Sequence, residues 1–218
     1  MISPSQFAQD TLLQKSSTLP VDIGGGIQVG GQQIFLMAGP CSVESYDQTR
    51  RTAEAVALAG GRILRGGAYK PRTSPDTFQG LGRVGLEILR TVADEFNLLV
   101  VTESLAVEHV PIVAEMADII QIGSRNMQHY PLLWAVGELD MPVLLKRGYM
   151  ATVAEWLAAA EHITNRGNER ILLCERGIRT FDNATRNTLD TNAIALVKNT
   201  SPHPVIADPS HATGRSDL

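Results

Sequence analysis

The sequence predicts an α/β fold of the (β/α)₈ TIM-barrel class, with about seven strands and six helices present and a short N-terminal hairpin. Three observations predict it. Short apolar runs of strand length recur along the chain with helical patterns between them. None of these runs alternates strictly between apolar and polar, as expected of parallel strands buried on both faces. A charged or metal-ligating side chain stands within a few residues past each run. A doubly wound sheet would produce the first two features as well. The third favours the barrel, in which the C-terminal ends of all strands meet at one mouth.

Taken in order, residues 1–33 form a polar, then Gly-rich N-terminal segment, in which Ile27–Val29 and Gln33-Ile34 around the Gly30-Gly31 turn predict a small hairpin. Residues 34–218 carry the barrel. Its expected strands are Ile34–Ala38, Arg62–Leu64, Leu98–Val101, Asp118–Ile122, Pro142–Leu145, Ile171–Cys174 and Pro204–Ala207. Between the first two, Ala53, Val56, Ala57 and Gly60 share one helical face after Asp47, and Gly60-Gly61 supplies the stop. Pro111 cannot sit deep inside a helix, so the third helix begins only a few residues before it. Thr152-Val-Ala-Glu155 is a capping box, followed at helical spacing by Val153, Trp156, Leu157, Ala160 and Ile163.

Composition narrows the function. With 19 basic and 23 acidic residues among 218, the net charge of −4 leaves no basic excess for a nucleic-acid backbone. Hydrophobic residues are 44% and aromatics only 5%, a mix suited to helices laid on buried strands in one domain. No apolar run approaches the ~20 residues of a membrane span, and the N-terminus lacks the pattern of a secretory signal. The expectation is a cytoplasmic protein without membrane or nucleic-acid partners, its two cysteines Cys41 and Cys174 reduced.

Just past the successive runs stand Cys41, Arg65, Glu103, Arg125, Lys146, Arg176, and then Asp208 and His211. Lys70 and Arg72, in the loop after the second run, add to the cations. So many positive groups in one mouth repel one another unless anions compensate, which points to a polyanionic ligand. Arg forks suit carboxylate and phosphate, and Lys supplies a point charge. Gly66-Gly67 and Gly123-Ser124-Arg125 put small residues where a backbone must approach a phosphate, or are ordinary strand-to-helix turns. Neither is a nucleotide fingerprint. Cys41 and His211, brought together by a barrel, make a plausible ligand pair for a divalent transition metal, or are a small buried Cys and an unrelated loop His.

Six segments in order, Ala38-Gly-Pro-Cys-Ser-Val-Glu44, Leu64-Arg-Gly-Gly-Ala-Tyr-Lys-Pro-Arg-Thr-Ser74, Gln121-Ile-Gly-Ser-Arg-Asn-Met127, Leu145-Lys-Arg-Gly148, Cys174-Glu-Arg-Gly177 and Asp208-Pro-Ser-His-Ala-Thr-Gly214, resemble the signatures of 3-deoxy-D-arabino-heptulosonate 7-phosphate (DAHP) synthase in its smaller barrel form. The resemblance implies a transferase of the shikimate pathway that condenses phosphoenolpyruvate with erythrose 4-phosphate. It implies that Arg65, Lys70, Arg125, Lys146 and Arg176 hold phosphoenolpyruvate, that Arg72 and Thr73 hold erythrose 4-phosphate, and that Ser124 is a further substrate-binding residue. Lys70, Glu103 and Lys146 become candidate catalytic residues, Glu103 positioning water near the reacting centre. Cys41 and His211 become ligands of a divalent transition metal, Mn, Fe, Co or Zn, and a homo-oligomer, dimer or tetramer, is expected. The sister enzyme making an eight-carbon sugar acid from arabinose 5-phosphate carries Lys-Ala-Asn-Arg-Ser where this chain has Lys70–Ser74, so the four-carbon acceptor is favoured.

The resemblance also implies two further metal ligands, a Glu and an Asp, beyond the His211 motif, and the sequence reaches only Leu218. The expectation is therefore an incomplete barrel lacking its eighth strand, with two unpaired sheet edges and no preceding regulatory domain. Two other functions compete: a Schiff-base aldolase using Lys146, and an inactive barrel fragment that binds phosphorylated ligands.

Overall fold

A computed structural model describes residues 17–70, 74, 76–215 and 217. Seven parallel strands form one sheet in sequence order: β3 (Met37–Ala38), β4 (Ile63–Arg65), β5 (Leu99–Glu103), β6 (Ile119–Ile122), β7 (Val143–Lys146), β8 (Ile171–Glu175) and β9 (Val205–Ala207). Among the described residues β3 and β9 are its edges. Helices α1 (Tyr46–Leu58), α2 (Arg83–Glu95), α3 (Val110–Met116), α4 (Tyr130–Gly137), α5 (Val153–Thr164) and α6 (Thr191–Thr200) connect the strands in alternation, the rhythm of a partial (β/α)₈ barrel.

Because successive strand residues face opposite ways, the sheet sorts its side chains into two layers. Ile63, Val101, Ile119, Leu144, Leu172 and Cys174 form the inner cluster. Leu64 and Val100 pack outward with Leu89, Val92 and Ala93 of α2. Ile120, Ile122, Val143, Leu145, Ile171 and Leu173 pack outward against α4 and α5. On α5 the capping box forms as expected, Thr152 Oγ1 accepting from the Glu155 amide and Glu155 returning the bond to the Thr152 amide at 2.7 Å. The buried Trp156 of that helix donates its indole N–H to the Leu145 carbonyl. Pro111 stands in the first turn of α3, where its missing N–H is not needed.

The hairpin differs from expectation. Its strands are β1 (Val21–Asp22) and β2 (Gln28–Val29), paired antiparallel, and the turn is Gly24-Gly25-Gly26 instead of Gly30-Gly31. All three turn glycines have positive φ, which a side chain disfavours, whereas Gly31 does not. Asp22 Oδ1 accepts from the Gly24 amide at 2.8 Å and starts the turn. Val21, Ile23, Ile27 and Val29 then join the inner cluster, so the hairpin plugs the N-terminal end of the barrel. The first barrel strand is also shorter than Ile34–Ala38: only Met37 and Ala38 pair with β4, and Ile34 is 95% exposed.

Candidate active site

At the C-terminal end of the sheet the aliphatic inner layer gives way to charge. Register places Arg65 beside Val101, Glu103 beside Gln121 and Lys146 beside Cys174, so Arg65, Glu103, Gln121 and Lys146 face inward one step above the apolar layer. Together with Cys41, Lys70, Ser124, Arg125, Arg176 and His211 they line one cavity of about 220 Å³. The structure thus gathers every described site residue expected from sequence. Arg72 and Thr73 lie outside the described residues, and with them most of the segment that distinguishes a four-carbon from a five-carbon acceptor.

The cations in the cavity are held in several ways. Arg65 donates to the Pro40 carbonyl at 3.1 Å. Lys70 donates through Nζ to the Cys41 carbonyl at 2.7 Å and lies 3.4 Å from its Sγ. Burial pushes the Lys70 ammonium below its ordinary pKa. Lys146 is ion-paired with Asp208 at 2.7 Å. Arg125 and Arg176 sit 5.6 and 4.8 Å from the centre of the Tyr149 ring, which steadies a guanidinium without neutralising it. Against this excess, Glu103 is the carboxylate of the cavity wall; it accepts from Gln121 Nε2 at 3.1 Å, and burial raises its pKa despite the surrounding cations.

Cys41 and His211 meet as expected. The His211 imidazole bonded to it, reinforced by Lys70 and Arg65, outweighs burial and lowers the Cys41 thiol from its ordinary value to about 5, so it is a thiolate at neutral pH. His211 is raised by its bonds to Asp208 and Cys41, with Nδ1 3.3 Å from Asp208 Oδ2. Burial opposes ionisation of Asp208, but bonds from His211, Lys146 and Ser210 hold it well below the carboxylate range. A thiolate and an imidazole oriented by a carboxylate suit a borderline divalent metal as part of a coordination set. Among the described residues no group of three or more His, Cys, Asp and Glu completes such a set. The thiol chemistry is testable on metal-free protein. Iodoacetamide is expected to modify Cys41 with a rate midpoint near pH 5, while Cys174, buried and pushed up to about 12, stays unreacted. A rate still climbing at the ordinary thiol pKa of about 8.5 would refute the His211 contact.

Sequence reasoning missed Gln121, Tyr149 and Arg186 in this cavity. Gln121 had a signal, since it occupies the last inward position of β6. Tyr149 and Arg186 lie in loops, where no period marks the inward side.

Comparison with known proteins places the chain in a family. The chain matches the DAHP synthetase I family over residues 13–218. It is 53% identical over 194 residues to a Thermotoga maritima phospho-2-dehydro-3-deoxyheptonate aldolase, covering 89% of this chain and 57% of that relative. The crystal structure of phospho-2-dehydro-3-deoxyheptonate aldolase (DAHP synthase) from Thermotoga maritima superposes with a TM-score of 0.88 at 51% identity, over 93% of this chain and 59% of that one. The chain therefore spans less than two thirds of the length of these relatives. A 2-dehydro-3-deoxyphosphooctonate aldolase of Koribacter versatilis is more distant, 31% identical over 193 residues, or 85% of this chain and 68% of that relative.

Proposed function

The chain belongs to the DAHP synthetase I family, and from that premise we propose that its mouth condenses phosphoenolpyruvate with erythrose 4-phosphate to give DAHP and inorganic phosphate. The observation that carries this reading is the convergence of Arg65, Lys70, Arg125, Lys146 and Arg176, contributed by four strand ends, on one cavity. Phosphoenolpyruvate presents a carboxylate and a phosphate on a three-carbon frame. Arginine forks and ammonium groups at several angles match both groups at once.

In the reaction, C3 of phosphoenolpyruvate attacks the aldehyde carbon of the acceptor, forming the new C–C bond while the aldehyde oxygen takes a proton. Positive charge left at C2 is met by water, and the C2–O bond to phosphate then breaks with its electron pair, leaving the ketone. The cations hold the phosphate as its charge changes, and they are fixed before the reaction instead of reorganising during it. Glu103, beside Gln121 in the cavity wall, positions the water that adds at C2 and takes up a proton from it; its raised pKa makes it a better acceptor than an ordinary carboxylate. Cys41 and His211 would hold a divalent transition metal, which supplies Lewis-acid polarisation of the acceptor aldehyde. Lys146 is unsuited to Schiff-base chemistry, since an ammonium bonded to Asp208 offers no lone pair to a carbonyl carbon.

The test is phosphate release from the two substrates with Mn²⁺ present. Release that requires both substrates, and that Arg125→Met or Arg176→Met lowers by at least about a hundredfold, supports the reading. Release with arabinose 5-phosphate in preference to erythrose 4-phosphate would overturn the acceptor, and no release with either would overturn the activity of this chain.

A further inference from the structure

The geometry points to Arg186 as a further phosphate-binding residue of the mouth, closing with Arg176 on one phosphate group from the loop that follows β8. Arg186 lines the cavity with Arg176. Its guanidinium has no carboxylate, carbonyl or ring partner among the described residues, in contrast to Lys146 on Asp208 and to Arg125 and Arg176 on Tyr149. The two guanidiniums are also close enough for Arg186 to disfavour the charge of Arg176, adding to the effect of burial. Two like charges facing one space are unfavourable until an anion lies between them.

The loop that carries Arg186 is tied down on both sides. Ile178 and Thr188 form a bridge with bonds of 2.9 and 2.8 Å, closing the loop on itself. On the other side the Arg186 amide donates to the Thr213 carbonyl at 2.9 Å, the Asn187 amide to Ala212 at 2.7 Å, and Asn187 Nδ2 to the His211 carbonyl at 3.0 Å. Gly214 lets the backbone pass against the arginine stem: a Cβ there would stand 2.5 Å from Arg186 Cβ. These bonds fix the loop backbone from which the exposed Arg186 side chain reaches the cavity. The same bonds fix the loop to the segment carrying His211, so the phosphate contact and the metal-ligand candidate share one support. The phosphate-binding role rests on the proposed condensation only for the identity of the ligand.

The experiment titrates the full chain by calorimetry with inorganic phosphate, phosphoenolpyruvate and pyruvate, the last carrying the carboxylate alone. Arg186→Met keeps the stem against Gly214 and removes the fork. It is expected to weaken phosphate and phosphoenolpyruvate by at least about tenfold while leaving pyruvate and Tm unchanged. Arg186→Lys is expected to recover part of the loss, and Arg186→Gln serves as a second uncharged variant should the Met variant not fold. Phosphate affinity within twofold of wild type in the uncharged variants would overturn the inference. So would an equal loss for pyruvate, or a wild type that does not bind phosphate. A wild type that binds phosphate with the expected Arg186 dependence but not phosphoenolpyruvate would instead sink the condensation reading and leave the phosphate contact standing.

Discussion

Arg147→Met is expected to destabilise the protein by about 3–5 kcal/mol, the cost of leaving a buried charge without its partner. Arg147 follows Lys146 but points the other way, into the layer between strands and helices. Its Nη1 donates to Glu175 Oε2 and to Asp190 Oδ2, each at 3.0 Å, its Nε to the Ala151 carbonyl at 2.9 Å, and its guanidinium lies 6.0 Å from the centre of the Trp156 ring. Glu175 is fully buried and Arg147 nearly so. Glu175 Oε1 is engaged as well, accepting from the Gly177 amide at 2.8 Å. Asp190 caps α6 through the Ala193 amide. One guanidinium therefore ties the ends of β7 and β8 to the start of α6. Removing it strands the Glu175 carboxylate in an apolar layer. The double variant Arg147→Met/Glu175→Gln removes that charge yet keeps an acceptor for Gly177, so it should regain a large part of the loss. Chemical denaturation with an unchanged slope measures both. A single-variant loss under about 1 kcal/mol would mean that water reaches Glu175.

That network marks the limit of what was legible in the sequence. Lys146 and Arg176 could be named for the mouth from sequence, but nothing there assigned a place to their neighbours Arg147 and Glu175. Only register decides: Lys146 stands beside Cys174 of the inner cluster, so Lys146 faces inward and Arg147 outward. The same alternation carries Arg176 to the mouth and Glu175 away from it. By contrast Arg65, Arg125, Lys146 and Arg176 were legible as a set, because parallel strands in sequence order must deliver their ends to one side. The hairpin turn was misread because Gly24–Gly26 and Gly30-Gly31 look equivalent as letters. The difference lies in what each turn buries: the first lets Ile23 and Ile27 enter the inner cluster together. Ile34 looked like the start of a strand on composition alone, but none of the described residues covers it. Arg186 stands ten positions beyond Arg176 and reaches the cavity only because its loop is bonded to residues 211–213.

Gly123→Ala is expected to lower the condensation rate by at least about a hundredfold, the scale of an ångström-sized displacement in an active site. Gly123 follows β6 with φ −73°, a conformation open to any residue, so the substitution strains no backbone. Its importance is steric. An alanine Cβ would lie 1.9 Å from Glu103 Oε1 and 2.8 Å from Glu103 Cδ, so the carboxylate must leave its place beside Gln121. Stability is expected to fall by only about 1–3 kcal/mol, the usual cost of overpacking. A double-mutant cycle separates this cause from a general disturbance of the mouth. Glu103→Ala alone removes the carboxylate and most of the rate. If Gly123 acts through Glu103, adding Gly123→Ala to that background costs nothing further, in rate or in Tm. Equal losses in both backgrounds would instead mean that the alanine disturbs Ser124 and Arg125 directly and that its effect does not pass through Glu103.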